Sequence, residues 1–169
     1  MRKDLTFHTV FTKGDGTTVT WQNSAAQHPY YAKFRIPDNT QYSTNVPVYI
    51  MRYAHVLLIY AEAQARADGS ANADAYTALN AVHTRAGLTP LSGLSNDDFL
   101  TAVVNERAWE FACEGTTRWF DLQRLEMVEV VNSAANRSPL ENAIIPNPIT
   151  KASYWFPVPL ADASINPNL

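Results

Sequence analysis

Cysteine is almost missing, with Cys113 the only one among 169 residues. A lone thiol excludes an internal disulfide framework and every zinc site that needs two thiolates, and Cys113 is expected as a small buried hydrophobe. Charge is sparse too. Charged residues make up 17%, and 13 basic against 16 acidic side chains leave a net −3, which offers no electrostatic footprint for a nucleic-acid backbone or an anionic membrane surface. No long hydrophobic run is present: the longest apolar stretch, Tyr53 to Ala61, is interrupted by His55 and falls short of the roughly 20 residues that cross a bilayer. The opening residues, Met1-Arg2-Lys3-Asp4-Leu5-Thr6, lack the apolar core of a secretory signal and taken alone read as cytosolic.

Signals for familiar chemistry are missing as well. There is no Gly-x-Ser-x-Gly elbow, no Gly-rich strand-to-helix loop and no Gly-Lys-Ser or Gly-Lys-Thr. His8, His28, His55 and His83 have no metal-binding spacing, so no metal and no cofactor are expected. His55 and His83 fall on helical patterns beside apolar residues and read as hydrogen-bonded packing groups. Asn136-Arg137-Ser138 matches a glycosylation sequon, which has meaning only in a eukaryotic secretory setting.

What is present is 46% hydrophobic content, enough for one ordinary soluble domain with its own core. Three regions separate. Residues 1–47 carry β-favouring runs, Phe7 to Thr12 and Thr17 to Trp21, divided by Lys13-Gly14-Asp15-Gly16, a hairpin signal; Asn23 to Asn45 reads as ordered loop. Residues 48–135 are helical. Tyr53, Val56, Leu57, Tyr60, Ala61 and Gln64 follow helical spacing until Asp68-Gly69-Ser70, and nearby alanines permit close helix approach. A second helix starts near Asn72, holds Tyr76, Leu79, Val82 and His83 on one side, and stops at Ala86-Gly87. Ser95 caps a third, with Asp98 completing a capping box, that runs to about Glu114 with Gly115 as its cap. Thr116 or Thr117 caps a fourth with Trp119, Phe120, Leu122 and Leu125. The fold class is thus mainly α, with tetratricopeptide-like hairpins in tandem. Residues 136–169 are rich in proline and asparagine, yet Tyr154-Trp155-Phe156 is too apolar for a disordered tail, so this irregular segment is expected to lie on the helices and bury those rings.

The densest constellation of polar residues is Glu106-Arg107, Glu110, Glu114, Arg118, Asp121 and Arg124. The glutamates, four apart, climb one helix face. A pair of carboxylates can serve glycoside hydrolysis, but catalytic pairs converge across a cleft, whereas a ladder with Arg107, Arg118 and Arg124 nearby reads as an ion-pair network. No catalytic residue is assigned. Cys113 beside Glu114 is no nucleophile, since a neighbouring carboxylate raises a thiol pKa. Candidate ligand contacts are aromatic: Trp21, Tyr30, Tyr31 and Tyr42 lie in the loop-rich region, where flat rings with polar edges can stack on sugars. Trp109, Trp119 and Trp155 read as core.

Five ordered blocks carry a resemblance. Val48 to Ala63, containing Arg52-Tyr53-Ala54-His55-Val56-Leu57-Leu58-Ile59-Tyr60-Ala61-Glu62-Ala63, is similar to the "RYAEVLLxYAEA" helix of the SusD/RagB family. Leu79 to Leu88, Glu106 to Gly115 and Arg118 to Arg124 follow in the same order, and Tyr154 to Pro159 with Ile165 to Leu169 resembles its closing "PIP … NPNL" segment. His55 stands where the family usually has glutamate, and His83 where arginine is common. The resemblance implies a non-enzymatic binder of a nutrient, such as a glycan, which is lipid-anchored at the outer-membrane cell surface and delivers to a SusC-like TonB-dependent transporter. It implies structural roles for Arg52, Glu106, Arg107, Glu110, Arg118, Asp121 and Arg124. It also covers only the C-terminal portion of a typical member, so the chain is expected to be a single C-terminal domain of a longer protein whose lipid-bearing cysteine lies elsewhere. A stand-alone helical-repeat scaffold for protein partners is the alternative reading.

Overall fold

The run Phe7 to Thr12, continuous in sequence, is divided in the fold. Arg2–Thr6 forms a short helix, α1, and leads into β1, Phe7–His8. After Thr9 the chain continues as β2, Val10–Thr12, and returns as β3, Thr18–Thr20, with Phe11 opposite Val19. The turn between them is closed by the Asp15 carboxylate, which accepts from the Thr17 N–H at 2.9 Å, and by Gly16 at φ 84°, a conformation that side chains resist. β1 pairs instead with β4, Tyr30–Tyr31, inside the stretch read as loop. Two-residue strands and a five-residue helix are too short for any period to show, which is why α1 and β4 are absent from the sequence reading.

This computed structural model describes residues 2–24, 27–33, 49–115, 117–139 and 149–166. The chain divides into two compact units, Met1–Gly115 and Thr116–Leu169.

In the first unit three helices build the core. α2, Tyr53–Asp68, ends at Gly69 with φ 65°. α3, Ala73–Arg85, starts where the Asn72 side chain accepts from the Ala75 N–H. α4, Asn96–Glu110, starts where Ser95 Oγ accepts from the Asp98 N–H at 3.2 Å and donates to the Asp98 carboxylate at 2.6 Å, so that carboxylate holds the cap hydroxyl. α2 packs on both α3 and α4. The buried stripe of α2 is Ala54, Leu58, Ala61 and Ala65, facing Ala75, Ala78, Leu79 and Val82 of α3 and Phe99 and Val103 of α4. The alanines let α2 approach its neighbours closely. Asn80 fixes the α3–α4 connection by donating to the Leu91 carbonyl and accepting from the Leu91 N–H.

The buried face of α2 differs from the sequence expectation. Tyr53, Val56 and Tyr60 are exposed, and the stripe lies one position further along. Because the first half of α2 is apolar nearly all round, its period cannot select the face; the small residues do. α4 also stops four residues before Glu114, where the backbone turns and Cys113 takes φ 69°. Cys113 is accordingly only half-buried.

The second unit holds α5, Thr117–Arg124, and α6, Val128–Val131, with Leu122 and Val128 buried. A 3-10 turn, Lys151–Tyr154, packs on α6, and α7, Leu160–Ile165, follows. Tyr154 donates from its hydroxyl to Glu129 at 2.5 Å, and its carbonyl accepts from the Gln123 amide. The expected burial of the neighbouring rings does not occur: Trp155 is 80% exposed and Phe156 89%. At Trp155 the backbone is extended. Trp109 is likewise half-exposed rather than core. Among the described residues no helix is long and apolar enough to cross a membrane.

Phe99 is fully buried and meets Tyr76 edge-on, with ring centroids 4.8 Å apart. Phe99→Ala should lower stability by about 3 to 5 kcal/mol in urea unfolding, the range for deleting a core aromatic; a loss below 1 kcal/mol would show that α2, α3 and α4 do not close around this ring.

Candidate ligand-binding site

Two arrangements of polar and aromatic side chains stand out, and the first is a charge hub. Glu106 and Glu110 lie one turn apart on the buried side of α4, and Glu114 follows just past its end. Their cations come from distant parts of the chain. Arg2 of α1 donates through Nη1 to Glu106 and, at 3.2 Å, to Glu110. Lys33 reaches Glu114 at 2.6 Å and the Glu110 carbonyl at 2.5 Å. Arg52, the residue before α2, donates to Glu114 at 2.7 and 2.9 Å and to Glu110 at 3.0 Å. Arg85, the last residue of α3, donates to Glu110 at 2.5 Å. His83 Nδ1 donates to the second oxygen of Glu106 at 2.7 Å.

Burial alone would push the Glu110 carboxyl up. Hydrogen bonds from Arg52 and Arg2 and the charges of Arg85 and Arg52 outweigh it and hold Glu110 below the usual carboxylate range. A carboxylate held so firmly as an anion is unsuited to donate a proton, which weighs against a glycosidase acid here. Burial, helped by Glu114 and opposed by Lys33, pushes the Cys113 thiol up.

Of the residues singled out in sequence, the hub gathers Arg52, Glu106, Glu110 and Glu114. Arg107 lies elsewhere: its Nη2 donates to His55 Nε2 at 3.2 Å, and its guanidinium stands 5.6 Å from the Phe111 ring centre, which Arg52 also faces at 5.0 Å. Arg118 and Arg124 belong to the second unit, where Arg124 donates to the buried Asp121 at 2.8 Å. Burial lowers the Arg118 pKa against the opposing charge of Asp121. Sequence reasoning missed Arg2, Lys33 and Arg85 as hub members. The one available signal was the ladder itself: three glutamates on one face with a single arginine between them need cations from other elements.

The second arrangement is aromatic. Tyr30 and Tyr31 of β4, 49% and 67% exposed, both border a cleft of about 570 Å³ lined also by His8, Val10, Phe11 and Thr12. Tyr30 stands edge-on to Phe11 at 5.0 Å, and Tyr31 is tilted on Phe7 at 5.8 Å, so both rings are supported from behind. Trp21 does not line this cleft. It is half-buried at the start of a 3-10 turn, Trp21–Asn23, with its N–H on the Thr9 carbonyl. Tyr42 lies outside the described residues. So do 167–169, the end of the closing sequence block. No group of three or more metal-ligating side chains occurs among the described residues.

The sequence profile of the SusD family matches residues 2–169. The chain belongs to the SusD family. SusD-like protein P2 of Formosa agariphila is 30% identical over 162 residues, covering 88% of this chain, and SusD-like protein P25 of the same organism is 30% identical over 148 residues, covering 83%. The chain spans 30% and 27% of those two relatives' lengths. Among solved structures, a SusD homologue from Bacteroides thetaiotaomicron superposes with a TM-score of 0.72 at 23% identity, over 99% of this chain and 39% of the homologue. A SusD superfamily protein from Parabacteroides distasonis gives 0.73 at 24%, over 96% and 36%. At those identities the likeness speaks for the fold, and the mainly helical, tetratricopeptide-like architecture is that of the SusD family.

Two measurements probe the hub. Glu106 is fully buried between Arg2 and His83, so Glu106→Gln should cost about 3 to 5 kcal/mol, the range for breaking a buried pair on one side, read as a shift in urea midpoint; a change within 0.5 kcal/mol of wild type, on the order of a surface substitution, would remove the hub from the fold's determinants. Glu110 has a folded pKa below its ordinary 4.5. Its contribution is therefore complete above that ordinary value and is lost as pH falls through the lower folded value. Unfolding followed from neutral pH downward should show Glu110→Gln losing less stability on acidification than wild type, and equal acid slopes would contradict the assignment.

Proposed function

We propose that this chain is part of a cell-surface binder that captures a nutrient, glycan in nature, and passes it to a SusC-like TonB-dependent transporter at the outer membrane. Family membership supports the general role. The observation that carries the ligand class is the cleft that Tyr30 and Tyr31 line. Two exposed rings on the border of one cleft, each in contact with a phenylalanine and accompanied by the polar edges of His8 and Thr12, offer apolar area together with hydrogen-bonding groups, the combination that a sugar ring presents in return. Water is a poor neighbour for such rings, and a sugar face would replace it. The reading involves no covalent step.

Trp21 enters this reading as a neighbour through β3, since its N–H is tied to Thr9 between β1 and β2. A protein-interaction scaffold is the second reading, and the exposed Tyr53, Val56, Ile59 and Tyr60 on α2 are the feature that favours it.

Affinity electrophoresis against soluble starch, xylan, laminarin and mannan, followed by calorimetry on a retained polysaccharide, tests the proposal. Wild type should be retarded by at least one. Tyr31→Ala should then weaken binding by roughly 1.5 to 3 kcal/mol, about tenfold or more, the scale of one buried aromatic side chain. Retention unchanged in both Tyr30→Ala and Tyr31→Ala would remove the cleft from the reading, and no retention on any of the four polysaccharides would favour the scaffold.

A further inference from the structure

Beside the charge hub lies a cavity of about 300 Å³ that the glutamates alone do not explain. Arg2, Lys33, Arg52 and Arg85 line it with Glu110 and Glu114, and Glu106 behind the lining also holds Arg2, so four cations face three carboxylates and one positive charge is in excess. Cations gathered in a partly desolvated recess repel one another, and such an excess is stable when an anion completes it. The donors are not exhausted. Arg2 uses Nη1 for both of its carboxylates and Arg85 uses Nη2 for its single one, so further N–H groups of each guanidinium remain without partners among the described residues.

A second, apolar groove of about 500 Å³ adjoins this cavity and shares Arg2, Thr6 and Ala86 with it. Half-exposed Trp109 lines the groove with Leu88 and Phe7. At the shared edge Thr6 is 2% exposed, and its hydroxyl has no hydrogen-bond partner among the described residues. Buried hydroxyls are normally paired. An aromatic wall and a cationic recess therefore meet at the edge formed by Arg2, Thr6 and Ala86, with the unpaired Thr6 hydroxyl buried beneath it.

We propose that the groove and cavity together bind an acidic sugar, its ring against Trp109 and its oxyanion among Arg2, Lys33 and Arg85. The oxyanion is a carboxylate or a sulfate ester; both present oxygens that guanidinium groups hold through paired charge-assisted hydrogen bonds. The inference rests on the binder reading above for the sugar, and on the cavity alone for the anion.

Calorimetry on the 169-residue chain separates the parts. The probes are a glucuronate-terminated oligosaccharide, its neutral glucose-terminated counterpart, a sulfated counterpart, and free glucuronate. The acidic oligosaccharides should bind about tenfold more tightly than the neutral one, with the advantage shrinking as salt rises, and the better of the two acidic probes identifies the oxyanion. Arg85, whose side chain is 59% exposed, is the safest cation to change. Arg85→Gln should bring the acidic-to-neutral ratio close to one, Arg85→Lys should restore part of it, and thermal unfolding of each variant checks that the fold is kept. Equal affinity for acidic and neutral oligosaccharides overturns the anion pocket and leaves the binder reading standing. Binding of free glucuronate with no oligosaccharide bound keeps the pocket and overturns the binder reading. Absence of all binding overturns both.

Discussion

The first unit depends on how three carboxylates near the end of α4 are neutralised. Taking an ion out of water costs several kcal/mol unless a partner replaces its hydration, and Glu106, Glu110 and Glu114 find theirs in α1, in the segment after β4, at the entry to α2 and at the end of α3. The hydrophobic core sets how close α2, α3 and α4 come, through an alanine stripe that leaves little room for alternatives. The hub sets which other segments are admitted beside them. Apolar burial has no direction, whereas a guanidinium on a carboxylate has a distance and an angle, so the hub supplies register that the core cannot.

Much of the fold was legible in the sequence, and the readable parts share a cause. Helix ends at Gly69 and Asn72 and the start at Ser95 follow from local chemistry within a few residues, and so does the hairpin around Asp15-Gly16. What failed required knowledge of what packs on what. The buried face of α2 could not be chosen from a helix whose first half is apolar nearly all round, and burial of Trp155 and Phe156 was assumed because the rings are large. Helix α4 was expected to include Glu114 because its four-residue spacing continues, yet the backbone turns at Phe111.

The candidate site was legible in part. Tyr30 and Tyr31 were marked by residue type and loop context, and the structure brings them together; Trp21, marked on the same grounds, stands off the cleft. The ladder of glutamates was visible as a pattern. Its partners were not, because Arg2 and Lys33 lie 104 and 81 residues from the carboxylates they meet, and spacing rules do not extend across such separations.

The hairpin turn offers a way to see what this wiring means for the chain as a physical object. The turn around Asp15 and Gly16 is fully exposed, the kind of place a protease cuts. A nick there would sever the backbone between Arg2 and Lys33, yet the short amino-terminal piece would remain moored by β1 to β4, by β2 to β3 and by Arg2 to the far end of α4. The cut would therefore break the chain without removing the contacts that hold its amino-terminal segment, so covalent continuity and non-covalent attachment are distinct features of this fold.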